Sequence, residues 1–421
     1  MGAIDGRVSL KQNYSKFPAV TKGLLAMEAL RIGHSAQQYP EQRNIIGKVS
    51  GAEYKLCRDY YSIAPRLLSL VSINGSPEWV ADRPFRFRDF GLNRVDCLHF
   101  FNGVNYSQTP WVATFETFIP RFLKVLRNHS NHPEVLQSCS KTRKALECLA
   151  SDYCLGLFAL SNSALELQAQ FLDIFPDRKD RILSKTQVLH PPQPVLSETA
   201  VASYPFELGG SLTFMLVGHQ FFSKGGREIL DALATVRKKN CIDIRLILVS
   251  ELRTDQYVTM TDEKDVIRVK DFIDENAGWI EYYESLPRAE VLEKMQECDV
   301  GMLPSHAETY GYSVLEFQAC ARPVITTDVR AFPEINNNEC GWVIAVPKRV
   351  IGGEAFYETV RQREVLSRTI SDGIASVLEE ILNSPDLIIR KGARAYERIR
   401  RDHSPEAYSA RLTQVYEKAL N

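Results

Sequence analysis

From residue 95 onward, short apolar runs rich in β-branched and aromatic residues alternate with stretches whose apolar positions recur at helical spacing. VDCLHFFN (95–102), WVATFE (111–116), LGLFALS (155–161) and TQVLHPP (186–192) predict strands. IPRFLKVLRN (119–128) and SALELQAQFLDIF (163–175) predict helices between them. Three prolines in HPPQP (190–194) then break the pattern, because proline fits neither a sheet interior nor a helix interior. A second alternation follows. Strands are predicted over 211–218, 243–250, 299–305, 323–328 and 341–346, with helices over 226–239, 288–298 and 313–321. Alternating strands and helices of these lengths predict parallel sheets covered on both faces. The chain therefore reads as two doubly wound α/β domains, 1–194 and 211–403, joined by a linker over 195–210 and facing each other across a cleft. In the first 90 residues only TKGLLAMEALRIG (21–33) carries a helical pattern.

Composition narrows the function classes. The chain has 421 residues, and its 51 Lys+Arg against 52 Asp+Glu leave a net charge of −1. That balance argues against a dedicated nucleic-acid binder, which needs excess basic groups to displace counterions. The nine cysteines are scattered and never spaced as CxxC, which fits a reducing, cytoplasmic setting better than a disulfide scaffold or a zinc site. The start MGAIDGRVSL has no apolar core of a secretory signal, and no apolar run is long enough to span a membrane. Peripheral contact with a membrane is compatible with this. The pair His129 and His132 reads as a polar loop, and no metal site is expected.

SHAETYGYSVLEFQAC (305–320) carries the candidate chemistry. Glu308 falls in the loop after a predicted strand. Tyr310, Gly311, Tyr312 and Ser313 lead into a helix that bears Glu316. A helix start offers unpaired backbone N–H groups and a positive dipole end, so it attracts phosphate, and Gly311 permits close approach. A carboxylate on either side could accept hydrogen bonds from adjacent sugar hydroxyls. A plainer alternative is that Ser313 and Glu316 form a capping box and Glu308 is a solvated loop acid.

LPSHAETYGYSVLEFQACARPVITTD resembles the nucleotide-sugar site of retaining glycosyltransferases of the GT-B fold, specifically glycosyltransferase family 4 (group 1). Pro304, Ser305, Glu308, Tyr310, Gly311, Glu316, Ala319, Pro323 and Val324 stand at matching positions, while Phe317 and Arg322 depart from the pattern. FPEINNNECGWVI (332–344) and VGHQFFSKGG (217–226) resemble two further blocks of that family. The resemblance covers roughly residues 210–420. It implies that Glu316 holds the ribose of the nucleotide, that Glu308 holds the donor sugar, and that backbone N–H groups around Tyr310–Ser313 bind the diphosphate. It also implies that Lys224 neutralises the leaving diphosphate beside Gly218. His219 stands where the family has an arginine, which weakens that clamp because a neutral imidazole offers a single donor.

The first half resembles the family less. NYSKFPAVTKG (13–23) is a candidate for the place of the family's glycine-rich loop, and SPEAYSARLTQVYEKAL (404–420) resembles its closing helix. VDCLHFFNGVNYSQTPWVATFE resembles a strand-loop-strand block in which this chain has Glu116 where a histidine is usual. Glu116 and Asn102 are therefore candidates on the acceptor side, and His99 is either a core or a cleft residue. The implied activity is retaining hexosyl transfer from a nucleotide-diphosphate sugar to a hydroxyl acceptor, with no cofactor. The alternative is a non-catalytic glycosyltransferase-like binding or partner subunit. Donor base, sugar, acceptor and oligomeric state are left open.

Overall fold

The computed structural model describes residues 29–60, 81–129, 132–196, 211–240 and 243–420. The candidate loop 13–23, most of the helical pattern over 21–33 and most of the 195–210 linker lie outside the described residues.

Two six-stranded parallel sheets organise the chain. The first holds β1 (Arg31–His34), β2 (Glu53–Leu56), β3 (Cys97–Phe101), β4 (Trp111–Phe115), β5 (Cys154–Ala159) and β6 (Thr186–Val188), in the order β2-β1-β3-β4-β5-β6. The second holds β7 (Leu212–Gln220), β8 (Ile244–Glu251), β9 (Ile280–Tyr283), β10 (Val300–Leu303), β11 (Val324–Thr327) and β12 (Trp342–Ile344), in the order β9-β8-β7-β10-β11-β12. A short parallel pair, Arg86–Phe87 with Val104–Asn105, lies apart from both. The expectation of two doubly wound halves holds. In such sheets the crevice outside the carboxyl ends of the strands, where strand order reverses, is the usual ligand site. Here those points are β1/β3 and β7/β10.

The helices that bear on the site are α1 (Tyr39–Asn44), α2 (Asn162–Leu172), α3 (Gly226–Asn240), α4 (Arg288–Glu297), α5 (Tyr312–Ala319), α6 (Phe332–Ile335), α7 (Val360–Asn383), α8 (Asp386–Asp402) and α9 (Pro405–Tyr416). Strand alternation sorts the first sheet's side chains onto two faces. Leu98, Phe100, Ala113 and Leu157 enter one core cluster. Ile32, Cys97, Val112 and Phe158 pack instead with Tyr408, Leu412, Val415 and Tyr416 of α9, so the C-terminal helix closes the far face of the N-terminal sheet.

Several expectations need correction. Arg31–Gly33 belong to β1 and not to a helix: they pair with Glu53–Lys55 on one side, and Ile32 and Gly33 pair with Cys97 and Leu98 on the other. Sheet pairing overrides the local helical spacing there. The helix predicted from 119 starts at Leu123, because the Ile119 N–H donates to Gln168 Oε1 at 2.7 Å and Pro120 has no N–H to give. Missing from the sequence reading were β1, β2, β9, a helix over Glu263–Glu275, and α7 and α8. Two of these carried legible signals. Asp262/Asp265 and Thr359/Gln362 form reciprocal capping boxes, and Leu366, Ile370, Ile374 and Leu378 bury one stripe of α7.

His99 is a core residue. Its ring sits between Tyr416 OH at 2.6 Å and Thr114 Oγ1 at 2.8 Å, and burial, with a smaller contribution from His34, lowers its pKa to about 3. The folded value lies below the unfolded one, so only the unfolded chain takes up this proton as pH falls below about 6.5. The associated stability is present above that value and is lost as pH falls toward the folded pKa. This residue should make the chain roughly 2 kcal/mol less stable at pH 5 than at pH 7. Urea unfolding across that interval should show a flatter pH slope in His99→Gln, and an unchanged slope would refute the assignment.

Candidate active site

The loop from β7 to α3 and the loop from β10 to α5 meet at the switch point of the second sheet. Gly225 has φ +78°, and a Cβ there would lie 2.4 Å from the Pro304 carbonyl oxygen, so the two loops touch backbone to backbone. Gly311, at φ +91°, precedes α5, and a Cβ on it would meet the Phe332 ring at 2.5 Å. Glycine is required at both positions for left-handed backbone and close approach.

This arrangement brings Lys224 and Glu308 together. Lys224 Nζ donates to Glu308 Oε2 at 2.6 Å, and the Thr309 N–H donates to Glu308 Oε1 at 2.9 Å. Gly218 lies beneath: a Cβ there would meet the Lys224 side chain at 3.1 Å, and its carbonyl accepts from Ser250 Oγ. Behind the loop, His306 Nε2 and Glu228 Oε1 are 3.0 Å apart and buried, with Ser367 Oγ donating to the same oxygen at 2.6 Å. Burial raises the Glu228 carboxyl, but the His306 charge and the bonds from His306 and Ser367 outweigh it and hold the pKa below its ordinary value. No sequence signal pointed to this buried pair, which anchors the segment that carries Glu308.

Glu316 is only 7% exposed. Its Oε1 accepts from Arg288 Nη2 at 3.1 Å and lies 3.6 Å from Arg43 Nη1, on the first half of the chain. The capping-box alternative is thereby excluded: Gly311 is the N-cap of α5, and Ser313 Oγ donates to the Val217 carbonyl at 3.3 Å. The side chains of Tyr310 and Tyr312 turn to the first half. Tyr310 OH meets His190 Nδ1 at 3.2 Å. Tyr312 OH accepts from Asn44 Nδ2 at 2.9 Å, Tyr39 packs edge-on against its ring, and Arg43 lies over that ring at 5.1 Å. Any diphosphate contact from Tyr310–Ser313 thus falls to backbone N–H groups.

His219 is not gathered into this cluster by any protein contact. Its ring is 93% exposed, with Glu251 Oε1 at 3.9 Å, and it borders a cavity of about 360 Å³ shared with Glu251, Arg253 and Asp255.

Glu116, at the end of β4, lies on the other side of the cleft. Its Oε1 pairs with Arg121 and accepts from Asn102 Nδ2 at 3.3 Å, and its N–H donates to Asn102 Oδ1 at 3.2 Å. All three line a cavity of about 1000 Å³ outside the carboxyl ends of β1–β4. A further junction joins the two halves: Glu334 in α6 accepts the Asn162 and Ser163 N–H groups at 2.7 and 2.9 Å, at the start of α2. Sequence reasoning missed Arg43 and Asn44, which sit in a segment without a recognisable pattern, and Arg121 and Arg288, which fall in predicted helices whose spacing says nothing about what their side chains meet. Among the described residues no cluster of His, Cys, Asp and Glu has the makings of a metal site. His132 does have an acidic neighbour, Glu134 at 3.4 Å, on the surface.

Residues 211–361 match the family model described as Glycosyl transferases group 1. The glycogen synthase of Mycobacterium tuberculosis is 21% identical over 207 residues, which cover 49% of this chain and 42% of the relative. The Campylobacter jejuni N,N'-diacetylbacillosaminyl-diphospho-undecaprenol alpha-1,3-N-acetylgalactosaminyltransferase is 33% identical over 63 residues, 15% of this chain and 16% of that one. Among solved structures, Anabaena HepE in complex with UDP aligns with TM-score 0.56 at 12% identity, over 92% of this chain and 99% of that one. Sucrose-phosphate synthase from Thermosynechococcus elongatus aligns with TM-score 0.51 at 16% identity, over 78% and 74%. At these identities the likeness is one of fold, and the fold is GT-B.

The two glutamates should separate in solution. Glu308→Ala is expected to keep nucleoside diphosphate affinity within a few-fold of wild type. Glu316→Ala is expected to weaken it by roughly 1–3 kcal/mol, the loss of charge-assisted hydrogen bonds. Equal losses by calorimetry would contradict the assignment.

Proposed function

We propose that the cleft transfers a glycosyl group from a nucleotide-diphosphate sugar to a hydroxyl acceptor with retention of configuration. The observation that carries this reading is the Lys224–Glu308 pair at the β7/β10 switch point, with Glu316 on the helix that follows, inside the segment that matches group 1 glycosyltransferases. A fold neighbour, Anabaena HepE, has been solved with UDP and with UDP-glucose, which supports a nucleotide sugar as the donor here.

In this reading the ribose hydroxyls take Glu316 over from Arg43 and Arg288. The diphosphate meets Lys224 and the backbone N–H groups that open α5, where a fixed positive charge stabilises the negative charge that develops as it leaves. Release of Lys224 toward the phosphate frees Glu308 for the donor sugar. The bond from the anomeric carbon to the phosphate oxygen breaks, the bond to the acceptor oxygen forms on the same face, and the acceptor proton passes to the departing phosphate oxygen. Glu116, engaged by Arg121 and Asn102, orients the acceptor. His219 is an exposed ring that a bound diphosphate could recruit, so Lys224 carries the clamp.

Two outcomes test this. Incubated with UDP-, GDP-, ADP- and dTDP-sugars and no acceptor, the protein should hydrolyse one class slowly, and Lys224→Ala should lower that rate about a hundredfold. No hydrolysis of any of them would favour a binding subunit. By NMR, the sugar released first should keep the anomeric configuration of the donor, and release of the opposite anomer would contradict retention.

A further inference from the structure

The cavity outside β1–β4 is rich in arginine. Arg58, Arg83, Arg86 and Arg121 line it, against Glu41, Asp59 and Glu116. Each acid is already engaged or weakened. Glu116 pairs with Arg121. Asp59 Oδ1 accepts the Arg88 N–H at 3.1 Å. Glu41 is buried, which raises its carboxyl above the ordinary range and moves it toward the neutral form. Among the described residues, neither Arg58 nor Arg83 has an acidic side chain within ion-pair distance, and both belong to this one concave wall.

Resting on the reading that this cavity receives the acceptor, we propose that the acceptor carries an oxyanion, a phosphate monoester or a carboxylate, held by Arg58 and Arg83. The planar guanidinium fork matches the paired oxygens of either group, and the exposed Arg58 and half-buried Arg83 line one concave wall from which both can reach the same anion. A neutral sugar would leave both charges uncompensated and would bring hydroxyls, which are better served by carboxylates and amides. The anion therefore fixes the orientation from which the attacking hydroxyl reaches the donor side, with Asn102 and Glu116 nearer the strand ends.

The probes are sn-glycerol 3-phosphate, glucuronate and glucose, titrated by calorimetry into wild type, into the double variant Arg58→Gln/Arg83→Gln and into Lys224→Ala. Nucleoside diphosphate affinity is measured in parallel as a check on fold and on the donor site. At least one anion should bind wild type, glucose should bind about tenfold or more weaker, and the double variant should lose about tenfold for the anion while keeping nucleotide affinity. Binding of one anion alone supports the proposal and narrows the oxyanion to phosphate or carboxylate. Neither anion binding, glucose binding as well as the anions, or anion binding that falls in Lys224→Ala but not in the double variant would each overturn it. Failure of nucleotide binding would instead strike at the donor reading, whatever the anions do.

Discussion

A buried carboxylate must be matched by charge or by hydrogen bonds, because removing it from water costs several kcal/mol. Glu316 is such a group, and the chain matches it from both halves: Arg288 from α4 of the second sheet's layer, and Arg43 from α1 beyond the first sheet. The same α1 supplies Asn44 to Tyr312 and Tyr39 to its ring, so the contact that satisfies Glu316 also docks the two halves. In the proposed reading a ligand with paired hydroxyls replaces those arginines at Glu316, and occupation of the second sheet's site is then coupled to the position of the first half.

Rigid supports lie behind this exchangeable contact. Asn44 is itself held in place: its carbonyl accepts Tyr408 OH at 2.7 Å and its side chain also donates to the Pro40 carbonyl at 2.8 Å. Tyr408 belongs to α9, so the C-terminal helix both closes the N-terminal sheet and positions the residue that reaches across the cleft. On the donor side, the backbone contact at Gly225 and the buried Glu228–His306 pair fix the two loops that present Lys224 and Glu308. Lys224 and Glu308 are paired with each other at 2.6 Å, and a dianionic diphosphate can draw the lysine away. Both carboxylates of the proposed donor site are thus held by cations of the chain.

The second half was the more legible in sequence, for a physical reason. Its strands, buried on both faces, are continuous apolar runs such as TFMLVG and RLILVS, and its functional groups sit at strand ends where glycine is required for close approach. The first half pairs short strands, RIGH with three of its four positions buried and EYKL exposed or half-buried; neither carries an alternation, and sheet pairing alone makes them strands. Its site residues are arginines and an asparagine in a six-residue helix and in loops, where spacing carries no information about what the fold brings together. The side-chain partners of Tyr310 and Tyr312 were not legible for the same reason. Their backbone lies at the helix start as the motif implies, but their rings answer to His190, Asn44 and Arg43, which are remote in sequence.

The central claim is that Glu316 is a ribose ligand borrowed by Arg43 and Arg288 when the site is empty. A crystal structure of the chain with the nucleoside diphosphate that most raises its melting temperature tests this directly. The account predicts both ribose hydroxyl oxygens about 3 Å from the Glu316 carboxylate, Arg43 displaced from it, and the terminal phosphate on Lys224. A nucleotide bound elsewhere, with the Arg43–Glu316 and Lys224–Glu308 pairs intact, would contradict it.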